Sequence, residues 1–220
     1  SFALNFGEAD DCHGWLVGEP HRGISYMFQM MNEARLMVGV GGIATASVAY
    51  HESLAYAQTR PQGRSYAVRD PGAPQIPIIE HADVKRMLLA QKSFVEGGLA
   101  LELYCARLVD ELRTGDQRSA RDAGLLLEVL TPIAKSWPSE WCLEANSLAI
   151  QVHGGYGYTR DFPVEQHWRD NRLNMIHEGT HGIQGLDLLG RKVRMHDGAA
   201  LELLAKRMRA TIQTAMVNAT

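Results

Sequence analysis

Proline placement is the strongest constraint on what this chain can fold into. Four of its eight prolines, Pro61, Pro71, Pro74 and Pro77, share one stretch with Gly63 and Gly72. Proline fixes φ and removes a backbone donor, so residues 61–79 read as a loop and the long elements lie on either side. Before it, Met27 to Gln58 spaces its apolar residues at helical intervals without a proline, and Pro61 ends the run. After it, Ile79 to Leu112 is a second long helix, with His81 and Asp83 near its start and Thr114-Gly115 as its stop. Gln117 to His153 is a third helical region, interrupted by Pro132 and by Ser136-Trp137-Pro138. Pro138 is expected to kink or break it.

Ile183 to Val193 and Leu201 to Val217 add two more helices. Leu88, Leu89, Leu99, Leu103 and Leu108 read as bundle core, and Met195, Leu204, Met208 and Ile212 as the stripe of the last helix. Trp15-Leu16-Val17, between Gly14 and Gly18, reads as a remnant strand. The expected fold is all-α: an up-and-down bundle of four or five long helices with short connections, and a short β remnant at the N-terminus. Arg35, inside the first helix, is expected to form an ion pair with Glu33 or a neighbour.

Charge and cysteine usage narrow the partners. The net charge is −3 and no basic run reaches five residues, so nucleic acid is not an implied partner. Cys12, Cys105 and Cys142 are widely spaced and form no C-x-x-C pair, which suits free thiols in a reducing compartment. No apolar run reaches 18 residues and no signal-peptide layout is present, so the expectation is a cytoplasmic chain without a membrane partner.

The chemistry concentrates between Gln151 and Arg191. Gly154-Gly155-Tyr156-Gly157 ends the third helix, and its bare amides could also approach a phosphate. Asp161, Glu165, Arg169, Asp170 and Arg172 read as a structural ion-pair network, while Arg160 and His167 have no assignable role. His177-Glu178-Gly179-Thr180-His181 is a literal H-E-x-x-H, which on a regular helix would bind zinc with Glu178 as general base. Glycines at 179, 182 and 185 disfavour such a helix, each by about 1 kcal/mol relative to alanine. The extended zinc pattern also wants glycine where Gln184 stands, although Asp187 falls at its last position. The expectation is therefore no metal, with a zinc hydrolase as the alternative.

A second motif set covers more of the chain. Gln151-x-x-Gly154-Gly155-x-Gly157-Tyr158 is followed by Pro163-x-Glu165, Arg169-Asp170, Glu178-Gly179-Thr180, Ile183-Gln184 and Gly190-Arg191-Lys192. In order and spacing these resemble the acyl-CoA dehydrogenase family, in the large subclass that carries extra C-terminal helices. The resemblance divides the chain into the tail of a middle β domain (1–20), a C-terminal helical bundle (21–193) and the start of an additional helical segment (194–220). It implies an excised piece, inactive by itself, of an enzyme that oxidises an acyl-CoA thioester to the 2,3-enoyl thioester with bound FAD.

By that resemblance Glu178 is the catalytic base that removes the α-proton, Gly179 lets the chain pass a flat cofactor and Thr180 offers a hydroxyl to it. Gln151, Gly154 and Gly155 would serve the FAD of a second subunit. Arg60-Pro61-Gln62-Gly63 stands where the family usually has R-x-Q-F, so Arg60 and Gln62 are implied flavin contacts and Gly63 replaces the aromatic. For Arg60 the residues alone also allow a simple cation near a helix C-terminus. The implied partners are an acyl-CoA substrate, an electron-transfer flavoprotein as electron acceptor and further copies in a homodimer or homotetramer. A flavin-binding DNA-damage-response relative of the same fold is the other alternative, and it would need a basic surface. His177 stands where an aromatic or apolar residue is common, and its imidazole would fill that space.

Overall fold

The structure, a computed structural model, describes residues 2–218, apart from the side chains of Phe28 and Gln29. Three long helices carry it: α1 (Gly23–Thr59), α2 (Ala82–Thr114) and α3 (Gln117–His153). Three shorter ones follow: α4 (Val164–Arg172), α5 (His181–Gly190) and α6 (Ala199–Asn218). Tight 3-10 turns at Ile78–Glu80, Gly154–Tyr158 and Leu173–Met175, and a segment at Lys192–Gly198 kinked at Met195, His196 and Asp197, lie between them.

The boundaries follow local chemistry. α1 stops at Arg60, whose extended backbone suits the residue before Pro61. Pro61 and Pro77 bridge the neck of the proline loop, so the chain returns beside its point of departure and α2 runs back along α1. Gly115 closes α2, and the Asp116 carboxylate accepts from the Ser119 amide at 2.8 Å to cap α3. Gly154 ends α3 at φ +63° and ψ −141°, backbone that only glycine adopts readily.

α3 is the central element, packed along both α1 and α2. Its buried face meets Cys105 and Leu108 of α2 and Ala200 of α6 near one end, and Ile43, Ala46 and Val95 at mid-length. Near the other end Val152 closes a cluster with Ala57, Ile78, Met87 and Leu88. Small residues set the helix spacing: Ala49 and Ala149 leave room for Val164 of α4, and a Cβ on Gly98 would sit 3.0 Å from Ile43.

Three helices run 37, 33 and 37 residues and α6 adds a fourth of 20, while residues 154–198 between α3 and α6 break into short helices and 3-10 turns. Several expectations need correction. No strand forms among the described residues at Trp15-Leu16-Val17, where the three side chains are largely exposed and meet no partner strand. α3 runs unbroken through Pro132 and Pro138, which are themselves buried. The Ala134 carbonyl, deprived of its intrahelical donor by Pro138, lies against Gly39 of α1, so interhelical packing overrides the local penalty.

Leu88 and Leu108 are core, but Leu89, Leu99 and Leu103 point outward from α2, as do Met208 and Ile212 from α6. Arg35 pairs with Asp187 on α5, and Glu33 pairs with Arg113. Of the network expected in residues 159–174, the structure shows Arg169 with Glu165 at 3.2 Å and a weak Gln166–Asp170 contact. Residues 219–220, the end of the additional helical segment expected from 194, lie outside the described residues.

Candidate active site

Glu178 sits in the turn between the 3-10 turn at Leu173–Met175 and α5, half-buried, with φ +55°. A left-handed glutamate costs on the order of 1–2 kcal/mol, and such outliers concentrate where function demands them. Gly179 follows at φ +96°, so two consecutive residues turn the chain sharply before extended Thr180 leads into α5.

What holds this turn is buried beneath it. Lys135 of α3 is fully buried, and its Nζ donates to the Gly179 carbonyl at 2.6 Å and to the Asn174 carbonyl at 2.8 Å. Gln184 of α5, 1% exposed, donates its Nε2 to the Glu178 carbonyl at 2.9 Å. Asn174 donates to the Asn171 side chain, which in turn donates to Asn146 of α3 and to the Gly42 carbonyl of α1. The turn is thereby fixed to three helices by side chains that leave its outward face free. Burial, and then the nearby Arg35, push the Lys135 pKa below its ordinary value, while the Glu178 charge pulls it back up.

The H-E-x-x-H residues do not share a helical face. His177 lies in the turn with its Nδ1 against the Leu173 carbonyl at 2.9 Å, Glu178 is left-handed, and His181 opens α5. The regular turn that zinc binding by this motif requires is not formed. The Thr180 hydroxyl makes no capping bond and is exposed, so it is free to meet a ligand.

The other predicted site residues gather at the far end of α3. The Arg60 guanidinium lies over the Tyr156 ring at 5.3 Å, which brings the start of the proline loop against the glycine turn. Arg60 Nε is buried without a protein partner. Space is open where side chains of Gly154 and Gly155 would be. Gln151 is exposed one turn earlier on α3, and its carbonyl accepts from the Gly154 amide. The Gln62 carbonyl takes a bond from His81 at 2.8 Å. Gly157 is packed tightly, since a Cβ there would meet the Ile150 carbonyl at 2.7 Å.

A cation with an uncommitted donor beside an open glycine turn suits a pyrophosphate. On this count the residues fit the anionic part of a dinucleotide. At 1.5 Å per residue, Lys135 and Gly154 are separated by about 28 Å along α3. The Glu178 turn and the Arg60 group are therefore two distinct places on one bundle.

Lys135 and Gln184 were not assigned as site residues from the sequence, although a signal for the first existed. Lys135 falls in phase with the stripe Pro138, Cys142, Ala145, Ala149 and Val152, where a charged side chain needs a buried partner. Which partner it takes depends on residues some 40 positions away.

Comparison with known proteins places the fold. The family model described as acyl-CoA dehydrogenase, C-terminal domain, matches residues 21–193. The chain belongs to the acyl-CoA dehydrogenase family. It is 41% identical over 204 residues to a 3-methylmercaptopropionyl-CoA dehydrogenase of Ruegeria pomeroyi, covering 93% of this chain and 34% of that protein. It is 39% identical over 192 residues to a broad-specificity linear acyl-CoA dehydrogenase of Mycobacterium tuberculosis, covering 86% and 31%. Among solved structures, Caenorhabditis elegans ACDH-11 in complex with C11-CoA superposes with a TM-score of 0.73 at 20% identity, over 88% of this chain and 30% of that one. At that identity the likeness shows the fold alone. The chain spans about a third of the length of these relatives.

Proposed function

We propose that this chain is the C-terminal helical part of an FAD-dependent dehydrogenase that converts an acyl-CoA thioester to the 2,3-enoyl-CoA, with Glu178 as the base. The observation that carries the reading is the left-handed Glu178 turn, anchored from below by Lys135 and Gln184. It presents one carboxylate on a rigid support, as abstraction of a weakly acidic proton requires. Relatives at 41% and 39% identity, both named as acyl-CoA dehydrogenases, support the same class.

The roles divide between the two places on the bundle. At the turn, Glu178 would accept the α-proton, Gly179 keeps the backbone narrow and Thr180 offers its hydroxyl. At the far end of α3, Arg60 and the amides of Gly154 and Gly155 would hold a pyrophosphate, with Gln62 and Gln151 beside them. FAD, when bound, supplies the acceptor for the β-hydride. Separation of about 28 Å along α3 suits two different flavins, one in this subunit and one in a neighbour, and hence a homodimer or homotetramer. Residues 1–20 then belong to the end of a preceding β domain and residues 194–220 to an added helical segment. An electron-transfer flavoprotein is the proposed acceptor of the electrons. All three cysteines are free thiols, two of them buried, which supports a cytoplasmic setting. No helix among the described residues is long and apolar enough to cross a membrane.

The test uses the full-length protein. Its visible spectrum should show bound flavin, and a panel of acyl-CoA thioesters added without oxygen should bleach it. Flavin that no thioester reduces, combined with DNA binding, would instead favour the non-dehydrogenase relative. One zinc per chain without flavin would favour the hydrolase.

A further inference from the structure

Lys135 is the only fully buried lysine among the described residues, and both of its hydrogen bonds end on the turn that carries Glu178. Its acceptors, the carbonyls of Asn174 and Gly179, lie on opposite sides of Glu178, four residues before it and one after. Gln184 holds the carbonyl between them from α5. Three hydrogen bonds, to the carbonyls of residues 174, 178 and 179, thus bracket a residue whose φ of +55° a free glutamate would leave. A Cβ on Gly179 would strike the Gln184 amide at 2.5 Å, so the clamp also fixes glycine at that position.

We propose that Lys135, with Gln184, is a positioning residue for the base: it acts through the Asn174 and Gly179 carbonyls to hold Glu178 in its left-handed conformation. This inference rests on the reading of Glu178 as the base. Neither side chain needs to touch substrate. Without the clamp, the turn relaxes toward negative φ at Glu178, which swings the carboxylate away from its aim while the surrounding bundle keeps its packing. A misplacement of about 1 Å at a reacting group can lower a rate by about 10²-fold.

The experiment uses the full-length, flavin-loaded enzyme with Lys135→Met, Gln184→Met and Glu178→Gln in parallel. Anaerobic stopped-flow mixing with acyl-CoA gives the limiting rate of flavin bleaching and the apparent dissociation constant of the thioester. Lys135→Met and Gln184→Met should each lower the limiting rate by about 10²-fold, with flavin content and dissociation constant changed by less than about 3-fold. Hydrogen exchange should accelerate at residues 176–180 and stay unchanged in α1 and α2. If Lys135→Met fails to hold flavin, Gln184→Met decides by the same split.

Wild-type limiting rates in both clamp variants, with Glu178→Gln inactive, would overturn this inference and leave the base assignment standing. Parallel loss of flavin, thioester affinity and rate would reduce the clamp to fold support and overturn it too. A fully active Glu178→Gln would overturn the underlying reading instead.

Discussion

Arg35 on α1 and Asp187 on α5 meet at 3.1 Å with their side chains 7% and 9% exposed, joining the first helix to the helix that follows the Glu178 turn. Asp187 has a second partner, Arg191, at 2.7 Å, whose side chain is largely exposed. Breaking a buried pair by removing one member typically costs about 3–5 kcal/mol, because a buried charge is left behind. The two members should differ. Arg35→Met leaves Asp187 still paired with Arg191, whereas Asp187→Asn leaves Arg35 buried without a counter-ion. Equilibrium urea unfolding should therefore show a larger midpoint drop for Asp187→Asn. Equal or reversed losses would show that Arg191 does not compensate.

Glu102, on α2, makes stability depend on pH. Burial raises its carboxyl from the ordinary 4.5 to about 8, and its Oε1 crowds Gly39, as does the Ala134 carbonyl that Pro138 leaves without a helical donor. Its protonated form is the one the fold accepts. The contribution is complete below pH 4.5 and is lost as the pH rises towards about 8, because the folded state alone retains the proton across that window. The slope approaches about 1.4 kcal/mol per pH unit between the two values. Glu102→Gln, neutral at every pH, should remove that slope. Urea midpoints for the pair at pH 5 and pH 8 check it, and parallel losses in the two proteins would refute it.

Two glycines in the 154–158 turn, Gly155 and Gly157, should separate folding from cofactor binding. An alanine at Gly157 would place its Cβ 2.7 Å from the Ile150 carbonyl and 2.9 Å from the His153 Cβ. Overpacking of this kind costs about 1–3 kcal/mol, so Gly157→Ala should lower the thermal midpoint. At Gly155 a Cβ meets nothing and φ is not left-handed, so Gly155→Ala should change stability by less than about 0.5 kcal/mol. If Gly155 faces a flavin, the same substitution in the full-length protein should still lower flavin retention on dialysis. Normal retention would remove Gly155 from the binding surface.

The long helices were legible because periodicity and proline placement are local. α1, α2 and α3 lie within a few residues of where spacing put them, and Gly115 and Gly154 stop α2 and α3 as composition suggested. Local rules erred where packing between helices decides. Pro138 does not break α3 because Gly39 leaves space for the freed carbonyl, and Leu89, Leu99 and Leu103 are apolar yet face outward. The site shows the same division. Motif spacing marked Glu178, Arg60 and the glycine turn, and the structure joins Arg60 to Tyr156. Lys135, Gln184 and the Asn146–Asn171 contact depend on side chains meeting across long separations, which no local pattern encodes.

The central claim is that Glu178 is the base, and one measurement tests it most directly. Full-length Glu178→Gln, loaded with flavin, is mixed without oxygen with an acyl-CoA that bleaches the wild-type flavin. The amide keeps the shape of the side chain but cannot take the α-proton. General-base removal lowers rates by about 10²–10⁴-fold, so bleaching should slow at least that far while flavin and thioester remain bound. His177→Phe, which alters the neighbouring ring and leaves the carboxylate in place, should slow it far less. Bleaching of Glu178→Gln at close to the wild-type rate would place the base elsewhere and contradict the account.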